Sequence, residues 1–187
     1  MARTPSNMIP LGTPAPDFSL PDTVSGKTLD LDSVKGTKGT VVMFICNHCP
    51  FVKHVNAELV RLARDYQPLG IGFVAISSND VENYPEDAPG EMTRTAVAEG
   101  YPFPYLYDET QQTAKDYDAA CTPDFYLFDP GLKLVYRGQL DDSRPGNDKP
   151  LTGADLRAAI EATLNDLNVS PDQKPSIGCN IKWKPGS

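Results

Sequence analysis

The stretch Val41-Val42-Met43-Phe44-Ile45-Cys46-Asn47-His48-Cys49-Pro50 decides the fold, and everything else in the chain is read outward from it. Its first half is short, rich in β-formers and unalternated, the pattern of a strand buried on both faces. Beyond Pro50, the residues Val52, Val55, Leu59, Leu62 and Tyr66 recur at steps of three and four, while Lys53, Glu58, Arg61 and Asp65 fall off that stripe. This is an amphipathic helix. Proline lacks an N–H and is tolerated in a first helical turn, so the helix is expected to begin near residues 47 to 50.

Two cysteines therefore sit where a strand gives way to a helix. The free N–H groups of a first turn and the positive end of the helix dipole favour a thiolate at Cys46 over a thiol. Helix N-termini and Cys-X-X-Cys spacing lower a cysteine pKa from roughly 8.5 into the range of about 3.5 to 7.5. His48, between the two cysteines, adds an imidazole that stabilises the thiolate and makes the corresponding disulfide more oxidising. The residues point to dithiol exchange, with Cys46 as nucleophile and Cys49 resolving.

Other uses of the motif fit less well. A structural zinc site brings a second close cysteine pair, but Cys121 and Cys179 stand alone. Haem attachment needs a histidine directly after the second cysteine, where Pro50 stands. A bridge closing so short a loop restricts the unfolded chain little, so it suits exchange better than stabilisation. No metal or cofactor is assigned.

The chain has 187 residues, 40% of them hydrophobic, enough for one core. A formal net charge of −8, from 25 acidic and 17 basic residues, argues against nucleic-acid and anionic-membrane partners. No apolar run reaches the roughly 18 residues of a membrane span, and the N-terminus reads as no signal peptide, so a cytoplasmic protein is expected.

Along the chain, Phe18 and Leu20 with Thr28 to Leu31 read as an N-terminal hairpin. Residues 41–45, the helix and 71–77 make a βαβ unit with parallel strands. Residues 79–104 are a proline-rich inserted connection holding a short helix near Met92 to Glu99, leading from the second strand past the dithiol. A short strand at 105–107, a short helix at 111–117 and strands at 125–129 and 132–138 follow. A last helix opens at Thr152 with Asp155 three residues on, a capping-box pattern.

The segments Ala15-Pro16-Asp17-Phe18-Ser19-Leu20, Phe44 to Lys53, Cys121-Thr122-Pro123-Asp124-Phe125 and Ser176 to Lys184, in this order, resemble the alkyl hydroperoxide reductase and thiol-specific antioxidant superfamily. The Cys-Asn-His-Cys-Pro motif resembles one peroxiredoxin-like subgroup of it. The resemblance implies a thioredoxin-like α/β fold: a central mixed β-sheet flanked by helices, with the N-terminal hairpin as an extension and residues 79–104 as an insertion. The resemblance also implies that Pro123 is a cis-proline beside the dithiol, with the Thr122 backbone left to pair with an extended substrate. From the residues themselves, 1–14, with three prolines and no periodicity, read as an N-terminal arm on the domain surface, 15–168 as the redox domain and 169–187, which lacks helical period after residue 168, as a C-terminal tail.

The chain departs from true peroxiredoxins. Their Pro-X-X-X-Thr/Ser-X-X-Cys pattern, counted back from Cys46, meets Met43 and Gly39, and from Cys49 meets Cys46 and Val42. Thiol–disulfide exchange with protein or small-molecule disulfides, fed by an unidentified electron donor, is the expected activity. The alternatives are a thiol peroxidase with antioxidant function and a non-catalytic redox-sensing or zinc-holding interaction module. Cys121 and Cys179 are candidate additional redox thiols. Cys121 reads as a buried small residue, and Cys179, in a polar tail, as accessible.

Overall fold

The computed structural model describes residues 3–187; the first two residues of the expected N-terminal arm lie outside the described residues. In chain order the elements are β1 (Arg3–Pro5), β2 (Ser19–Pro21), β3 (Thr28–Asp30), α1 (Leu31–Val34), β4 (Gly39–Phe44), α2 (Pro50–Tyr66) and β5 (Ile71–Ser77). Then come α3 (Pro89–Glu99), β6 (Tyr105–Tyr107), α4 (Gln112–Asp116), β7 (Cys121–Thr122), β8 (Asp124–Phe128), β9 (Leu134–Gly138), α5 (Ala154–Leu164) and β10 (Ile177–Asn180).

The central sheet runs β6-β5-β4-β8-β9. β4 pairs parallel with β5, and β5 with β6, whereas β8 is antiparallel to both β4 and β9. It is the mixed sheet expected from the sequence. β4 is buried at every position, which explains its unbroken apolar run. Val41 and Met43 face a core shared with Leu59 and Leu62 of α2 and Ile160 of α5. Val42 and Phe44 face a second core with Phe18, Leu31 and Tyr117. Each such side chain, fully removed from water, stabilises the fold by about 1.5–3 kcal/mol.

α2 starts at Pro50 with Cys49 as its N-cap, within the expected window. The last helix departs from expectation. Gly153, in the left-handed region at φ 69, is its N-cap and no side chain caps it. The Thr152 hydroxyl instead accepts from the nearby Ala154 N–H, so the expected capping box does not form. α1 is an element the sequence reading lacks; Asp30 and Ser33 cap it reciprocally.

The two ends of the chain form a further sheet, β1-β10-β7. Within the expected N-terminal arm and C-terminal tail, residues 3–5 and 177–179 thus pair with each other. β10 pairs antiparallel with β1 on one edge and with β7 on the other, placing Cys179 opposite Thr122. Ser6 and Ser176 are buried and hydrogen-bonded to each other, and the Ser176 hydroxyl donates to Pro123 O at 2.6 Å. Local spacing does not reveal this sheet because its strands come from opposite ends of the sequence. Among the described residues, no helix is long and apolar enough to cross a membrane.

Candidate functional site

Cys46 lies in the turn between β4 and α2, and Cys49 caps the helix, so one short segment sets both sulfurs. Facing them is β7. Cys46 Sγ is 3.5 Å from Thr122 Oγ1, and Cys49 Sγ is 3.4 Å from Thr122 O. The Thr122–Pro123 bond is cis, as the resemblance implies. Cys46, Cys49, His48, Thr122 and Pro123 are therefore one cluster in space.

The pairing of the sulfurs differs from expectation. Cys49 is disulfide-bonded to Cys179, with 6.3 Å between their Cα atoms, and Cys46 is a buried free thiol. Cys179 was expected to be accessible, yet it is 1% exposed. The cause is β10, which carries it against β7. Gly178 permits that approach, since a Cβ there would lie 1.9 Å from Thr122 O. The Thr122 backbone, expected to be open to an extended substrate, is paired with the chain's own tail.

Protonation also runs against expectation. The N–H groups of His48 and Cys49 and the Thr122 hydroxyl all favour a Cys46 thiolate. Burial, reinforced by the Asp87 carboxylate, outweighs them and pushes the Cys46 thiol up from its ordinary value near 9 to about 11. The helix opening is present, but the sulfur it serves is closed off from water.

Asp87 is the functional-site residue that sequence reasoning missed. It belongs to the short helical turn Pro85–Asp87 of the inserted connection, and it is fully buried. Its carboxylate accepts the N–H of Asn47 at 2.8 Å, the N–H of His48 at 3.3 Å and the Asn79 amide at 2.9 Å. His48 Nδ1 approaches Asp87 Oδ2 to 2.5 Å, at an angle that is not that of a hydrogen bond. The His48 ring stacks on Tyr84, 10° from parallel. The Tyr105 hydroxyl donates to Asn47 Oδ1 at 2.8 Å. The signal available in sequence was positional only, an acidic pair between prolines in a segment leading past the dithiol.

Donor atoms of Cys46, His48 and Asp87 lie within 4.8 Å of one another, close enough to raise the question of a metal. Two ligands about 2.0–2.1 Å from one tetrahedral ion stand roughly 3.3 Å apart, well beyond the 2.5 Å between the His48 and Asp87 atoms. The imidazole and carboxylate face each other rather than a shared ion.

Cys121 is buried, as read from sequence, and its sulfur lies 3.7 Å from Pro123 O. Burial and the Asp124 carboxylate push its thiol well up. His54 is half-buried, its Nε2 lying 2.5 Å from the Ser143 hydroxyl. A groove of about 490 Å³ between α2 and α3, lined by Asn47, His48, Lys53, Asn56, Glu91 and Arg94 among others, adjoins the cluster. A separate cleft of about 300 Å³ beside α5, lined by residues such as Tyr136, Asp155 and Gln173, contains none of the sulfurs.

The chain is similar over its whole length to an uncharacterized conserved protein from Geobacillus kaustophilus, at 62% identity and a TM-score of 0.98, with 100% of this chain and 99% of that one covered. A thiol:disulfide interchange protein, DsbE, from Chlorobium tepidum shares the fold at 20% identity and a TM-score of 0.67, covering 84% and 99% of the two chains. A thiol:disulfide interchange protein DsbE from Allochromatium vinosum is 30% identical over 120 residues, which are 62% of this chain and 59% of that curated relative. The fold is thioredoxin-like. Residues 11–137 match the AhpC/TSA family, and with the mixed sheet and the paired cysteines ahead of α2 they place the chain: it belongs to the AhpC/TSA family.

Proposed function

We propose that this chain is a thiol–disulfide oxidoreductase in which Cys46 and Cys49 exchange electrons with disulfides of proteins or small molecules. The observation that carries the reading is the placement of both sulfurs at the head of α2, each against Thr122. In the reduced protein, Cys46 attacks one sulfur of the substrate disulfide as a thiolate, and the substrate's other sulfur leaves with a proton. Cys49 then attacks Cys46 Sγ in the mixed disulfide, releasing the reduced substrate and closing the Cys46–Cys49 bond. A thiol donor returns the pair to the dithiol.

His48, stacked on Tyr84 and facing Asp87, has a ring nitrogen within 4.8 Å of the Cys46 sulfur, in reach to receive its proton as the thiol reacts. In its protonated form the imidazole also offsets the Asp87 charge that opposes the thiolate. The relatives called thiol:disulfide interchange proteins support exchange over other uses of the cysteines.

The test is turnover of insulin disulfides with dithiothreitol as donor. The wild-type protein should accelerate reduction, Cys46→Ser should abolish the acceleration, and Cys49→Ser should accumulate a mixed disulfide with substrate. An active Cys46→Ser protein would refute the assignment. Peroxide consumption at comparable rates with the same donor would favour thiol peroxidase activity instead.

A further inference from the structure

Cys49 has two potential partners, Cys46 three residues before it and Cys179 across from it on β10. We infer that Cys179 is a third redox-active thiol, presented to Cys49 by a strand of the chain's own tail that lies where an extended substrate would pair, so that Cys49 alternates between Cys179 and Cys46. This deepens the exchange reading proposed above and rests on it.

Three observations converge. First, β10 occupies the Thr122 edge as an added antiparallel strand, the general mode by which an extended peptide is recognised at an open sheet edge. Second, the fit is specific: Gly178 lies against Thr122 with no room for a side chain, and its neighbour Cys179 is thereby brought to Cys49. Third, the sulfur left over is not remote. Cys46 shares the Thr122 contact surface with Cys49 and receives the Cys49 backbone N–H.

The step is an internal exchange. Cys46 loses its proton and attacks Cys49 Sγ; the Cys46–Cys49 bond forms as the Cys49–Cys179 bond breaks; the electron pair leaves on Cys179, which takes up a proton. One disulfide and one thiol exist before and after, so no external oxidant or reductant enters. Holding the reactants together makes the step unimolecular. Its consequence is a route for oxidising equivalents between the helix head and the tail.

Protein carrying the Cys49–Cys179 bond should be incubated without thiols, quenched and unfolded in acid, alkylated and mapped by mass spectrometry. Unfolding before alkylation removes accessibility as a variable. The expected result is a mixture in which either Cys46 or Cys179 is the alkylated thiol, whereas Cys46→Ser should hold Cys49–Cys179 alone. Wild-type protein that keeps only Cys49–Cys179 would make the bond a structural bridge and overturn the inference. Wild-type protein that shows only Cys46–Cys49, however it is oxidised, would overturn it equally.

Gly178→Ala gives a second arm that leaves every sulfur in place. Forcing β10 off Thr122 should shift the mixture about tenfold toward Cys46–Cys49, in line with about 1.4 kcal/mol lost from the tail-bound state. An unchanged ratio in a folded Gly178→Ala protein would remove strand docking as the cause and sink the inference. Insulin turnover is a separate readout. Its absence alongside Cys46-dependent exchange defeats only the activity toward external disulfides, and its presence with a fixed Cys49–Cys179 bond defeats only the internal relay.

Discussion

Cys46 accepts two backbone N–H groups and a contact from Thr122, each of which favours its anion, yet its thiol is pushed up to about 11. Burial is the larger cause and Asp87 the next. The sign follows directly: a thiol raised above its ordinary value near 9 stays protonated across neutral pH, and its anion grows tenfold per unit as pH rises toward about 11. Alkylation of Cys46 in protein that carries the Cys49–Cys179 bond, followed by mass spectrometry, should therefore climb through pH 7–10 without levelling off. A plateau below pH 8 would mean the helix opening prevails over burial. Asp87→Asn removes one of the two opposing causes and should speed alkylation at pH 8 by about tenfold, the effect of a charge within roughly 4–6 Å. The groups that bear on the charge of this sulfur are Asp87, the Thr122 hydroxyl and the backbone N–H groups of His48 and Cys49.

α2 shows what an element-level pattern captures and what it loses. Its apolar stripe is buried as read, because the 3.6-residue period faces the sheet. Glu58 reads as solvent-facing but is 2% exposed, since α5 packs beside it. Its carboxylate accepts from Arg61 Nε and Arg157 Nε, both at 2.8 Å, and Arg157 reaches on to Asp65. Periodicity registers hydrophobicity within one helix and has no information about an acid satisfied from another. Glu58→Ala should therefore destabilise the protein by about 1–3 kcal/mol, read as a fall in urea midpoint. The half-exposed Arg61, replaced by Ala, should cost under about 1 kcal/mol, because its guanidinium already meets water. The same limit explains the site. Cys46, Cys49 and His48 are legible from local spacing, while Asp87 and the placement of Cys179 depend on a turn and a strand brought in from elsewhere. The central sheet was legible because its strands are apolar and buried enough to declare themselves, even the three-residue β6; β1, β7 and β10 pair between distant parts of the chain, which local pattern does not show.

At the scale of the whole molecule, one buried ion pair fastens the chain ends to the strands beneath the redox loop. Asp124 opens β8 directly after Pro123 and is fully buried, as is Arg137 of β9. Arg137 grips the Asp124 carboxylate with both terminal nitrogens, Nη2 at 2.9 Å, and lies 3.9 Å over the Tyr126 ring. The same carboxylate accepts the Ser6 hydroxyl at 2.8 Å, just beyond β1, and Ser6 in turn holds Ser176 just before β10. Loss of Asp124 would strand a guanidinium without its counter-charge and release Ser6 together. Asp124→Asn should cost about 3–5 kcal/mol, the range for breaking a buried pair, and lower Tm by roughly 6–20 °C for a chain of this length. Replacing both partners, as Asp124→Leu with Arg137→Met, removes the uncompensated charge and should recover much of that loss. Because Ser6 and Ser176 are tied through Asp124, and Leu offers the Ser6 hydroxyl no acceptor, hydrogen exchange in residues 177–180 should rise in the double variant even where Tm is recovered. If those amides stay protected in the double variant, the grip of β10 on the redox loop comes from its strand pairing alone and not from this buried pair.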